Sequence, residues 1–335
     1  EIFENSVKIR SISNTKEVYI ALSGGLDSSA ISLAMSNQDI KQKAFSTENF
    51  GDDKKYLNYV LEKNKNIKFE EYKIGNNEDN LDRIKNISKK MRLPSPIYGE
   101  SLGGYKLYQK IFENNGKRIL LTGHGGDELF GCHDNQFINI FHNYIQNKDF
   151  YKSINFLYEN FKLKHKGILI KYFLKFFSKN INIHYRAELN GKIFNLKERQ
   201  ENELFLTNFR QSLLVADFVS LNNNISLRHP MLDKNLRGLV SIPFSEKITP
   251  KFDRVILRKY LNNELVKIAN RKTKQGMRHL ASNIFNKNKT EILESIFYSD
   301  NYHISKNKNY IFNKKKKLNN YDKNYLMRSY SLINL

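Results

Sequence analysis

The sequence predicts an α/β protein: an open parallel sheet with helices on both faces, followed by a mainly helical C-terminal part. Three observations carry that expectation. Short β-forming apolar runs alternate with amphipathic helical stretches over the first 130 or so residues. Two of those runs, residues 18–22 and 118–122, lead into a glycine turn and then a helix-forming stretch. Residues 136–221 are rich in Phe, Tyr, Leu and Ile and lack strand alternation.

Taken in order, residues 1–16 read as a short helix packed by Ile2, Phe3, Val7 and Ile9. The run at 18–22 is long enough for one buried parallel strand. A helix over 30–35 follows, then a strand at 42–47 and a helix at 52–63 with Tyr56, Leu57, Val60 and Leu61 on one face. A third strand spans 67–74. The helix at 77–91 ends near Pro94 and Pro96. Residues 94–102 form a loop before a helix at 104–114 and a fourth strand at 118–122. Residues 325–335 form a terminal helix, and the lysine run 314–317 a solvated loop. The expected division is an α/β core over 1–135 and a helical part over 136–335 that carries further site segments, the two forming one integrated domain.

The first strand leads into Ser23-Gly24-Gly25-Leu26-Asp27-Ser28-Ser29. Strand, glycine turn and helix together aim backbone N–H groups at an anion. Gly24 and Gly25 let the backbone approach phosphate, and Ser23, Ser28 and Ser29 add hydroxyl donors. Asp27 repels phosphate unless Mg²⁺ lies between them, so the stretch predicts a Mg-nucleotide site. No Gly-Lys-Ser/Thr ending places a lysine for γ-phosphate transfer. That favours pyrophosphate held as a leaving group, with chemistry at the α-phosphate.

The fourth strand repeats the pattern with Gly123-His124-Gly125-Gly126-Asp127-Glu128. Gly123 opens this turn beside the nucleotide, and Asp127 offers a second carboxylate to the same Mg²⁺ from a neighbouring strand tip. Glu128 suits a helix N-terminus. Two later stretches stand out: Ser226-Leu227-Arg228-His229-Pro230-Met231-Leu232-Asp233, and the basic run Asn270-Arg271-Lys272-Thr273-Lys274-Gln275-Gly276-Met277.

Composition sets bounds. The 335 residues are 40% hydrophobic, enough for a sizeable core. No run of about 18 apolar residues exists, so no membrane span is expected, nor is a signal peptide. The single cysteine, Cys132, excludes an internal disulfide framework and suits a reducing cytoplasmic location. The net charge of +22 favours anionic partners. The basic residues are scattered apart from the lysine run, which argues against nucleic acid.

Residues 23–29 resemble the pyrophosphate-binding loop of the ATP pyrophosphatases. With their flanks they are most similar to the synthetase domain of the asparagine synthetase family, which includes β-lactam synthetases and lasso-peptide cyclases. The later Arg-x-Pro-Met-Leu-Asp and Lys-Gln-Gly segments fall in the family's order, so the resemblance spans residues 18 to about 277. It implies an adenine nucleotide alpha-hydrolase-like fold with ATP and Mg²⁺. The implied reaction has two steps: a carboxylate is adenylated with loss of pyrophosphate, and an amine then displaces AMP to form an amide. Residues 23–29 would hold pyrophosphate, Asp27 and Asp127 the Mg²⁺, and Lys274, catalytic in relatives, the transition-state charge. The carboxylate and amine would be an amino acid or a peptide. The family's upstream glutaminase domain is not contained in these residues; such a domain, or a peptide-biosynthesis partner, is the expected company of the chain.

Position 124 departs from part of the family. Asparagine synthetases carry glutamate there and β-lactam synthetases tyrosine, whereas Gly-His-Gly-Gly-Asp resembles lasso-peptide cyclases. Ammonia needs little help to attack, but an alkylammonium must first lose a proton. A neutral imidazole can take it near pH 7. His124 therefore points to a primary amine, with a structural role in the turn as the competing reading. Three functions stay open: amide ligation including macrolactam closure, asparagine synthesis from glutamine-derived or free ammonia, and adenylation of a tRNA base. The last is weakened by the lone cysteine, since thiolating members often use a pair.

Overall fold

The computed structural model describes residues 1–15, 17–47, 53–64, 66–72, 81–92, 104–131, 144, 148–161, 208–242, 244–249, 252–272, 280–300 and 320–333. Five strands form one parallel sheet: β1 (Val18–Ala21), β2 (Gln42–Thr47), β3 (Ile67–Tyr72), β4 (Arg118–Leu121) and β5 (Ile225–Arg228). Their order is β3-β2-β1-β4-β5. The chain builds outward from β1 to β3 and then restarts on β1's other side with β4. The loops after β1 and β4 therefore diverge at the carboxyl edge, where ligands of such sheets bind. The helices α1 (Ile2–Arg10), α2 (Leu26–Ser36), α3 (Asp53–Lys63), α4 (Leu81–Met91), α5 (Tyr105–Asn115) and α6 (Gly126–Phe130) fall near the expected places.

The strands alternate cleanly between two cores. Val18, Ile20, Ala44 and Leu121 face a cluster built with α1, α2, α3 and the helix Val255–Leu261. Tyr19, Phe45 and Leu120 face a second cluster with α4, α5 and the C-terminal helices. Period-2 alternation on a sheet covered on both sides requires such a division. On the second face the rings of Tyr19, Phe45 and Tyr72 follow one another across three strands, with centroids 5.1 and 5.9 Å apart. The helix Asn320–Ile333 buries Leu326, Met327 and Tyr330 in this cluster, so the lysine-rich tail ends in core structure.

Some expectations shift. α1 buries Val7, but Ile2 and Ile9 are exposed rather than packed. Ser6 and Arg10 do the docking instead. The Ser6 hydroxyl donates to Pro230 O (2.6 Å), and Arg10 Nη1 donates to Asp233 Oδ2 (2.5 Å). The strand Ile225–Arg228 is one that the sequence does not announce. Its four residues pair with all of β4, and the apolar count in Ile-Ser-Leu-Arg is too low to stand out. The sheet thus takes its fifth strand from beyond residue 136. Lys274, Cys132, the loop at 94–102 and the lysine run 314–317 lie outside the described residues. Among the described residues, no helix is long and apolar enough to cross a membrane.

Candidate active site

The first loop closes on itself. Ser28 Oγ lies 3.3 Å from both Ser23 N–H and Ser23 Oγ, and Ser23 Oγ accepts from Gly25 N–H (3.3 Å). The first backbone bond of α2 in this turn runs from Ser29 N–H to Gly25 O (3.0 Å), so the N–H groups of residues 26–28 precede the helical ladder. Gly24 has φ +73°, and a Cβ there would lie 2.5 Å from Leu57 N, on the first turns of α3. Glycine is required both for the turn and for the close approach. Ser29 is fully buried under the loop.

The second loop is fitted against the first. Gly123 lies against Asp27, and a Cβ on Gly126 would come within 2.6 Å of Asp27 Cγ. Asp27 is 8% exposed. Its carboxylate and that of Asp127 converge on one cation: Arg254 Nη1, 2.8 Å from Asp27 Oδ2 and 2.5 Å from Asp127 Oδ1. Arg254 is buried and sits in the left-handed region at φ +50°, which costs a non-glycine residue about 1–2 kcal/mol. Its N–H donates to Gly131 O (3.0 Å), just beyond the second loop. A buried carboxylate and a half-buried one so close are stabilised by a shared positive charge. Convergence on one cation is also what a divalent metal needs. Among the described residues no group of three or more acidic, His or Cys side chains could hold a metal. Magnesium bound through one or two carboxylates plus substrate phosphates fits such a set.

On the other side of β4, Thr122 Oγ1 lies 2.6 Å from His124 Nδ1 and 2.7 Å from His229 Nδ1. The two imidazoles meet edge to face at 5.1 Å. Thr122 N–H donates to Arg228 O (3.0 Å), which extends the β4–β5 ladder and delivers His229 to the threonine. His229 Nε2 is 3.6 Å from Asp217 Oδ1 on the helix Asn208–Leu221.

The later stretches divide. Arg228 Nη1 donates to Arg10 O (2.8 Å) and Ile12 O (2.6 Å), and Asp233 takes Arg10, so both strap the N-terminal helix down. Burial would raise the Asp233 carboxyl, but the Asn235 N–H and Arg10 hold it below its ordinary value. Arg271, by contrast, reaches the first loop. Its Nη1 donates to Gly24 O (2.9 Å), it pairs with Asp53, and its guanidinium lies over Tyr56 at 4.5 Å. Arg258 in turn donates to Ala269 O (2.6 Å) and Arg271 O (2.7 Å), fixing this segment. The basic run that contains Lys274 therefore starts from a residue anchored on the glycine loop.

Among the predicted residues, the structure brings together Ser23, Gly24, Gly25, Asp27, Ser28, Gly123 and Asp127, with His124 on the same loop as Asp127. Sequence reasoning assigned no role to Arg254, Thr122, His229 or Arg271. His229 and Arg271 lie inside stretches that stand out in the sequence, but nothing local marks the partners they find, and Arg254 has no local signal at all.

The sheet order and the paired glycine loops at its switch point define an adenine nucleotide alpha-hydrolase-like α/β protein. The family model described as Asparagine synthase matches residues 1–330, and the chain belongs to that family. It is accordingly an ATP-dependent, amide-bond-forming synthetase of the ligase type. A comparison with the curated proteins finds no match.

Proposed function

We propose that this synthetase adenylates a carboxylate and transfers the acyl group to a primary amine of an amino acid or peptide, with macrolactam closure among the products. The observation that carries the reading is the meeting of Asp27 and Asp127 on one cation at the heads of adjacent strands. In the first step a carboxylate oxygen attacks the α-phosphorus, the bond to the β-phosphate oxygen breaks, and pyrophosphate leaves. The loop N–H groups and the Ser23 and Ser28 hydroxyls bind that leaving group, while Ser29, fully buried beneath the loop, supports it from below. Asp27 and Asp127 would hold Mg²⁺, which neutralises phosphate charge when bound. In the second step the amine nitrogen attacks the acyl carbon, the carbon–oxygen bond to AMP breaks, and the amine's proton passes to His124. Lys274 stabilises the developing negative charge, in keeping with the anchoring of its segment by Arg271.

Asparagine formation from aspartate and ammonia is the second reading, favoured by the description of the matching family. ATP–pyrophosphate exchange with a panel of carboxylates decides between them. The amine-ligase reading expects exchange that aspartate alone does not account for, and amide formed from primary amines. Exchange stimulated only by aspartate and completed by ammonia would overturn it. Exchange that survives both Asp27→Asn and Asp127→Asn would overturn the metal assignment.

A further inference from the structure

The hydrogen bonds around Thr122 fix more than position. A hydroxyl has one proton to donate, yet Thr122 Oγ1 is within hydrogen-bond distance of two ring nitrogens, His124 Nδ1 and His229 Nδ1. With both rings neutral, it can donate to only one of them and must accept from the other. The two histidines are therefore in opposite tautomers.

The neighbour on His229 decides which is which. Its Nε2 faces Asp217 Oδ1 at 3.6 Å. A lone pair at Nε2 would be repelled by that carboxylate, whereas an N–H is attracted. His229 then carries its proton on Nε2 and accepts the Thr122 hydroxyl at Nδ1. Thr122 Oγ1 accepts in turn from Nδ1–H of His124, which leaves the His124 lone pair on Nε2. A hydrogen bond on one ring nitrogen setting the role of the other is the general behaviour of imidazoles.

We infer that Thr122 and His229, backed by Asp217, are positioning residues that hold His124 in the Nδ1–H tautomer, with Nε2 as the proton-accepting atom. This rests on the amide-ligase reading, because there His124 takes the proton of the attacking amine. The order of events follows: the ammonium gives one proton to Nε2, the freed electron pair bonds the carbonyl carbon, AMP departs with the electrons of the broken carbon–oxygen bond, and the second proton leaves the new amide nitrogen for solvent. His124 then loses its proton to solvent. The side chains come from β4's carboxyl end and from the residue after β5, so the arrangement depends on the β4–β5 pairing and not on the glycine turn alone.

Two-bond proton–nitrogen NMR spectra of the full chain with ¹⁵N-labelled histidine report directly which ring nitrogen bears the proton. The sequence has 8 histidines, and spectra of His124→Gln and His229→Gln identify the two signals. At about pH 8, where ordinary histidines are neutral, the expected result is Nδ1–H for His124 and Nε2–H for His229. Thr122→Val should shift His124 to the Nε2–H form that free imidazole side chains prefer, and Thr122→Ser should restore Nδ1–H. His229→Asn, whose Oδ1 can accept at the place of Nδ1, should preserve the His124 tautomer, and His229→Leu should lose it. An Nε2–H signal for His124 in the unaltered protein overturns the proposal without any variant needing to fold. So does a His124 signal that stays Nδ1–H in folded Thr122→Val. Neither result depends on the substrate, so a failed tautomer assignment is distinct from a failed exchange assay.

Discussion

The loops after β1 and β4 share one plan, strand to glycine turn to helix, but their polar groups find partners at opposite ranges. In the first loop Ser23, Gly25 and Ser28 bond to one another within five residues. In the second, Thr122 reaches His229 across 107 positions and Asp127 reaches Arg254 across 127. Two groups are exceptions in the first loop: Asp27 reaches Arg254 across 227 positions, and the Gly24 carbonyl accepts from Arg271 across 247. A local arrangement places hydrogen-bond donors for an anion. A long-range one can make chemistry conditional on the whole fold.

The comparison breaks first at Arg254. Arg254→Met leaves two acids converging with no guanidinium between them. The variant should lose about 3–5 kcal/mol in urea unfolding without metal, and Mg²⁺ should restore part of that loss. A variant as stable as the parent would mean that the second loop does not depend on its distant cation. The next test falls on the first loop. Gly24→Ala puts a methyl against α3 at a positive φ, and its urea midpoint should report a loss of about 1–3 kcal/mol. Asp233→Asn probes the strap that carries the third segment. Asp233 is held below the ordinary aspartate value of 3.8, so its contribution is present above that value and lost as pH falls through the lower folded one. The variant should be less stable at neutral pH by about 1 kcal/mol through the lost Arg10 pair, since the asparagine oxygen can still accept from Asn235 N–H. Its stability should also fall less steeply on acidification, as read from thermal midpoints at pH steps. The smallest effect belongs to Ser28→Ala, about 0.5–1 kcal/mol, since its bonds are long and local. A larger loss there would erase the distinction between the loops.

The same distinction explains what could be read from the sequence. Strands β1 to β4, their helices and both glycine turns are encoded within short windows, as periodicity and turn chemistry. Residues 23–29 therefore stood out at once, and Asp127 with them. Arg254 did not, because nothing within ten residues marks an arginine as the partner of two acids on the far side of the chain. His229 was hidden in the same way. Only the β4–β5 register sets it against Thr122, and Ile-Ser-Leu-Arg carries too weak a strand pattern to announce that register. Arg228 and Asp233, prominent in their segment, serve to clamp α1.

The position of β5 in the sheet also has a consequence for the time at which the site exists. As the chain leaves the ribosome, β1 through β4 and both glycine turns emerge well before His229, Arg254 and Arg271. Until those three arrive, the acids at the strand heads lack their guanidinium, the carbonyl of Gly24 lacks its clamp, and His124 lacks the partner that sets its proton. A nascent chain stalled between the fourth and fifth strands carries every residue of both loops and none of the groups that make them work together.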